Sequence, residues 1–207
     1  MALHKDFPKD PYAILNPEIR WFPANEDLRD TDKMQRLLAP LVPELRKRVF
    51  EWRNNNYEGA SETSKALLTW WFKEEHILYN QDGSSYSFQY YFSQREALET
   101  VVWLYEVAQV KDKYDLIRYN STGVLSPQMF TEDWLRFVIK MATGAGKTKV
   151  MSLVIAWAYF HKLYEEGSSL AKNFLLITPN VIVFERIKKD FEGNDIFFLD
   201  PVLPDNG

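Results

Sequence analysis

The segment Thr143-Gly144-Ala145-Gly146-Lys147-Thr148 carries the clearest chemistry in the chain. Two glycines one residue apart let the backbone take left-handed conformations that other residues resist. Successive N–H groups then turn inward as an anion nest at the start of a helix. A lysine after the second glycine reaches the β- and γ-phosphates of a nucleotide, and the following threonine hydroxyl is placed for Mg2+. The pattern is G-x-x-x-x-G-K-[ST], with Met141 where the first glycine would stand. The expected chemistry is capture of ATP with Mg2+ by residues 143–148, with Thr148 on the metal side. The bland alternative is a Gly/Ala/Thr turn with a stray lysine. The string G-x-G-K-T arises by chance only about once per 10⁵ positions, which disfavours that alternative.

Such a loop works only between a strand and a helix, and the flanking residues predict both. Phe137-Val138-Ile139 is a short apolar strand candidate. Lys147 to about Glu165 has the length and composition of a helix, apolar nearly all round and so expected to be buried on several sides. Gly167-Ser168-Ser169 stops it. Phe174-Leu175-Leu176-Ile177 is a second apolar strand candidate, and Pro179-Asn180 opens a helix carrying Val183, Phe184, Ile187 and Phe191. Strand, loop, helix and strand in this order predict a βαβ unit. The fold class expected is therefore α/β, with a parallel sheet and a right-handed crossover.

The preceding residues read as a small, mainly helical module. The first thirty are rich in Pro, Asp and Asn and suggest an extended lead-in pinned by Trp21 and Phe22. A short helix is predicted at 32–38. A second helix starts near Pro43, carries Leu45, Val49, Phe50 and Trp52, and turns Arg46, Lys47, Arg48 and Arg53 to its polar side. Ser61 is a plausible cap for a third helix reaching about His76, and Asp82-Gly83-Ser84-Ser85 is a break. Ser93 and Glu96 fit a capping box for a helix whose apolar face runs from Ala97 to Ala108. Residues 111–133, with Gly123 and Pro127, read as an irregular insertion. The organisation expected is a helical module at 1–90 and a motor domain at 91–207.

The chain has 207 residues and no cysteine, which excludes disulfides, zinc fingers, iron–sulfur clusters and cysteine nucleophiles. Its three histidines, His4, His76 and His161, are widely separated, so a histidine metal site is not expected. Net charge is −4, spread evenly, which argues against coating of nucleic acid by bulk charge but not against local phosphate contacts. The start lacks a signal-peptide core, and the longest apolar stretch, 150–160, falls short of the roughly 20 residues of a membrane span. A cytoplasmic protein without membrane attachment is expected.

Met-Ala-Thr-Gly-Ala-Gly-Lys-Thr at 141–148 resembles motif I of superfamily 2 helicases, in which a non-glycine first position is common. The resemblance extends to the restriction-subunit type, the DEAD/DEAH-box-related motor subunits of type III restriction enzymes. Phe92-Ser93-Gln94-Arg95-Glu96-Ala97 is similar to the glutamine-bearing element before motif I. Leu176-Ile177-Thr178-Pro179-Asn180 is similar to motif Ia. Residues 57–61 and 67–72 are similar to the N-terminal part of those subunits. The resemblance implies a RecA-like P-loop domain, incomplete here, and an ATP-dependent helicase or translocase acting on double-stranded DNA in restriction. It also implies partnership with a methyltransferase (modification) subunit.

By position, the resemblance gives Gln94 the adenine edge, where an amide supplies paired donor and acceptor bonds. The alternative is a solvent-facing glutamine at a helix start. Thr178, Pro179 and Asn180 would contact the nucleic-acid backbone, or Asn180 would simply cap the next helix; both can hold. Arg186, Lys188 and Lys189 are either a phosphate-facing patch or a solvated face. Trp70-Trp71-Phe72 is either a base-stacking platform or, with the first two diverging by about 100° on a helix, core and interface packing.

Hydrolysis in this family needs an acidic D-E-x-H type motif, and the chain has no Asp-Glu dipeptide. Ile196-Phe197-Phe198-Leu199-Asp200 has a similar shape, but Pro201 follows, and a strand or loop leading onward is the simpler reading. The chain thus reads as the N-terminal part of a longer motor, itself inactive in hydrolysis. Two other classes stay open: another P-loop enzyme such as a phosphotransferase, and a non-catalytic partner-binding module.

Overall fold

The computed structural model describes residues 10–17, 41–120, 125–130 and 136–204. Trp21, Phe22, the helix expected at 32–38 and Gly123 lie outside the described residues. By contacts the chain divides into two compact units, Met1–Gly59 with Val102–Lys140, and Ala60–Val101 with Met141–Gly207.

In the first unit, α1 (Val42–Asn54) has Pro43 in its first turn, where a missing N–H costs nothing. Leu45, Val49 and Trp52 are buried on it, and so is Arg53. Arg53 therefore departs from the polar side expected for it: it stands four residues after Val49 and continues the same helical row. Trp52 packs edge-on against Tyr57, and its indole donates to the Glu58 carbonyl at 2.9 Å. The segment expected to be irregular contains a short helix, α4 (Lys113–Ile117), and a 3-10 turn at Pro127–Met129. Asp112 caps α4 by accepting from the N–H groups of Tyr114 and Asp115, at 2.8 and 3.0 Å.

The second unit contains α2 (Glu62–Lys73), capped by Ser61, which accepts from the Ser64 N–H at 3.1 Å. α2 ends at Lys73, before the expected His76. A hairpin follows, β1 (His76–Tyr79) and β2 (Ser85–Phe88), paired antiparallel with His76 opposite Phe88. The helical reading of the first ninety residues is corrected at this point. Asp82-Gly83 closes the turn because Gly83 sits at φ +83° and the Asp82 carboxylate accepts from the Ser84 N–H.

α3 (Phe92–Val102) begins two residues earlier than the expected Ser93/Glu96 box, and the π-helical turn Trp103–Val107 extends it. The Gln94 and Arg95 N–H groups both bond the Tyr91 carbonyl. Tyr91 is therefore the cap and Gln94 the third helical residue, which reaches back to the Tyr91 N–H at 2.9 Å.

α5 (Lys147–Tyr164) starts at Lys147 as expected. It is buried at Val150, Ser152, Leu153, Ala156, Trp157, Ala158 and His161, while Tyr159, Leu163 and Tyr164 toward its end are exposed. Successive positions turn by about 100°, so Ser152 and Ala158 extend the burial beyond the face of Val150, Leu153 and Trp157, and the helix is covered on several sides up to Ala158. α2 and α5 pack together, and the buried Trp157 indole donates to the Ser64 hydroxyl at 2.7 Å. α6 (Val181–Glu192) and the short α7 (Asp195–Phe198) complete the described elements.

Among the described residues the only sheet is the two-stranded antiparallel hairpin. The parallel sheet expected from the sequence is not formed there. A strand needs a backbone neighbour, and neither 137–139 nor 174–177 has a ladder partner among the described residues. Val138, Leu175 and Ile177 are each more than 80% exposed. The apolar run at 196–199 is helical at Asp195–Phe198 rather than extended.

Candidate functional site

The residues before α5 fold as an anion-binding loop would. Gly144 and Gly146 have φ of +82° and +79°. Gly146 is the N-cap of α5 and carries no capping side chain, so the helix start presents its N–H groups to whatever lies beyond it. The two glycines differ in surroundings. A Cβ at Gly144 would meet nothing within 4 Å, whereas one at Gly146 would fall 2.2 Å from the Gln94 Nε2.

Lys147 is exposed, and its ammonium donates to the Ala142 carbonyl at 2.8 Å, folding the side chain back over its own loop. Thr143 and Gly144 are exposed; Ala145, Gly146 and Thr148 are half-buried. Beside the loop lies a cavity of about 410 Å3 lined by Gly146, Thr148, Lys149, Arg186, Lys189 and Asp200, among others. α6 therefore brings Arg186 and Lys189 to the same space as the loop, while Lys188 pairs with Glu192 on the surface at 3.8 Å.

Lys149 had no sequence signal beyond its place after Thr148, yet it is the most engaged cation here. Its ammonium pairs with the Asp200 carboxylate and sits 5.6 Å from the Phe88 ring centroid. Burial pushes it below the usual lysine range, and the Asp190 carboxylate opposes that shift. Asp200, considered above as a Mg2+ carboxylate, is thus committed to a lysine.

Gln94 is buried rather than solvent-facing. Its Oε1 accepts from the Tyr91 N–H, and its Nε2 donates to the Ala145 carbonyl at 3.1 Å. Around it, Arg95 pairs with the fully buried Glu99 at 2.8 Å and stacks over Phe72. Phe72 in turn meets Tyr90 edge-on, and burial pushes the Tyr90 phenol well above its usual range. Thr178, Pro179 and Asn180 stand at the start of α6, where the Asn180 carboxamide oxygen accepts from the Val183 N–H at 3.0 Å. The capping role expected of Asn180 is present in the fold.

Trp70 and Trp71 are packed, not stacked in the open. Their indoles donate to the carbonyls of Pro201 and Val202, at 3.2 and 2.8 Å, and Trp71 is buried. Successive helical positions thus clamp successive residues of one segment.

For a nucleotide's phosphates the loop offers the start of α5 and the Lys147 ammonium, while the Ala145 N–H bonds the Ala142 carbonyl at 3.3 Å. For Mg2+ the loop offers the Thr148 hydroxyl, with the Asp190 and Asp195 carboxylates lining the same cavity. No group of three metal-ligating side chains forms among the described residues, so phosphate oxygens and water would complete the ion's shell.

A glycine-bearing loop thus feeds directly into a long helix. The family model described as Type III restriction enzyme, res subunit, matches residues 87–197, just over half of the chain. The chain belongs to that family, a restriction-related branch of the helicase superfamily with a RecA-like P-loop fold. The match contains Gln94, the loop and residues 178–180. No curated protein and no solved structure matches the chain.

Proposed function

We propose that residues 143–148 bind the phosphates of ATP with Mg2+, as the nucleotide-capturing part of an ATP-dependent helicase or translocase. The carrying observation is the pair of left-handed glycines, Gly144 and Gly146, at the start of α5. Thr143, Gly144, Ala145 and Gly146 supply the nest, Lys147 the charge and Thr148 the metal-side hydroxyl. Gln94 belongs to the same site. Family membership supports a nucleic-acid substrate. The reading extends to double-stranded DNA in restriction, a modification methyltransferase as partner and the cytoplasm as location. Among the described residues no helix is long and apolar enough to cross a membrane.

In this reading Thr178, Pro179 and Asn180 meet the DNA backbone. Residues 1–90 are an accessory module and 91–207 part of a motor domain, with 137–139 and 174–177 as strands of its parallel sheet. The test is ATP titration of the 207-residue chain with and without Mg2+, beside Lys147→Ala. Saturable binding that the variant weakens is expected, with almost no hydrolysis. Equal affinity in both proteins sinks the assignment, and vigorous turnover by the chain alone refutes the reading as part of a larger motor.

A further inference from the structure

We propose that Gln94 is a positioning residue for the phosphate loop and does not read the base; the inference rests on the nucleotide-binding reading above. An amide reads adenine by donating with its nitrogen and accepting with its oxygen at once. In this chain each end already holds one bond inside the protein, and burial leaves the second N–H and the second lone pair little access to a ligand. Oε1 accepts from the Tyr91 N–H at 2.9 Å, and Nε2 donates to the Ala145 carbonyl at 3.1 Å. The side chain is only 6% exposed.

The bond to Ala145 has a geometric consequence. The peptide joining Ala145 to Gly146 is planar and trans, so its C=O and N–H point in opposite directions. Holding the Ala145 oxygen against Gln94 aims the Gly146 N–H away from Gln94. That N–H is one of those a phosphate nest needs to converge. Gln94 is itself anchored, because its own N–H bonds the Tyr91 carbonyl and its Oε1 closes back on the Tyr91 N–H. The start of α3 thus sets one peptide plane of the loop before α5.

Gly146 fits the same account from the other side. Its φ of +79° favours glycine, and the space a Cβ would take is already filled by the Gln94 amide. The spacing of 52 residues between Gln94 and Gly146 hides this contact in the sequence.

The test uses the full 207-residue chain, with Gln94→Ala and Gln94→Glu. Affinities are measured for ATP, GTP and inorganic tripolyphosphate, and amide hydrogen exchange is followed at residues 142–148. Gln94→Glu keeps an acceptor for Tyr91 but places an oxygen against the Ala145 carbonyl. Both variants are expected to weaken all three ligands alike, about 3- to 10-fold, the range of one lost hydrogen bond. Exchange should quicken at the loop while the cores of α3 and α5 stay protected. If Gln94→Ala fails to fold, Gln94→Glu carries the comparison.

Loss of ATP binding alone, with GTP and tripolyphosphate unaffected, overturns the inference in favour of base reading. Unchanged affinities and unchanged loop exchange overturn it as well. A wild-type chain that binds none of the three ligands sinks the nucleotide reading instead. The exchange at 142–148 then decides by itself whether Gln94 holds the loop.

Discussion

The buried indole N–H of Trp157 is satisfied by a side chain, the Ser64 hydroxyl, 93 residues earlier in the sequence, at 2.7 Å. Ser64 is fully buried, and its own N–H bonds the Ser61 cap. One bond therefore joins the first turn of α2 to the middle of α5, the helix that the phosphate loop starts. Ser64→Ala strands a buried donor, which costs about 1–3 kcal/mol. The urea midpoint should fall accordingly; an unchanged midpoint would mean that the indole finds another acceptor.

Lys147 is expected to supply a charge-assisted phosphate contact once it leaves the Ala142 carbonyl. Lys147→Ala should weaken ATP by about 1.5–3 kcal/mol, roughly 10- to 150-fold, with little change in unfolding temperature, because the side chain is exposed. Calorimetric titration beside a thermal scan separates the two quantities.

The two loop glycines should respond unequally to alanine. Gly144→Ala places a Cβ in open space and carries only the left-handed penalty, about 1–2 kcal/mol. Gly146→Ala adds a collision with the Gln94 amide, so the loop or Gln94 must move. Nucleotide affinity should drop further in Gly146→Ala than in Gly144→Ala. Equal losses would show that backbone conformation alone governs the loop.

Glu165, at the end of α5, accepts from the Thr63 N–H at 3.0 Å and adds a second anion at the start of α2. Its bonds to Thr63 hold the carboxyl below the usual glutamate range. A depressed folded-state pKa means that the stabilisation is present above the unfolded value, 4.5, and is lost as pH falls through the folded value. The contribution is small, because the carboxylate is largely solvated. Urea midpoints on either side of pH 4.5 should fall less on acidification in Glu165→Gln than in the wild type. Parallel pH profiles would remove Glu165 from the account.

What the sequence made legible is what local rules control. The loop, the Lys147 start of α5, the Ser61 and Asn180 caps and the Pro43 start of α1 all follow from residue type at short range. The hairpin at 76–88 was hidden because only Asp82-Gly83 marked it, between the four-residue runs His76–Tyr79 and Ser85–Phe88 that are too short to show a period. Gln94 was visible as a residue but not in its role. Its partners are the cap of its own helix and a carbonyl 51 positions on, and no periodicity encodes a contact across that distance. The parallel sheet is not formed among the described residues for a related reason: an apolar run states that a segment seeks neighbours, not that it has them. Arg53 shows the limit of reading charge as surface, since helical geometry placed it on the row of Leu45 and Val49.

The exposed segment 174–177 has a practical consequence. Leu175 and Ile177 are open to solvent, while Phe174 and Leu176 are only partly covered, the alternation of a strand with one bare side. Unladdered backbone beside apolar side chains is adhesive and can template pairing between molecules. The isolated chain should therefore sediment as a concentration-dependent mixture at high protein concentration. A gatekeeper charge such as Leu175→Lys should restore a single species and raise the usable concentration for every measurement above.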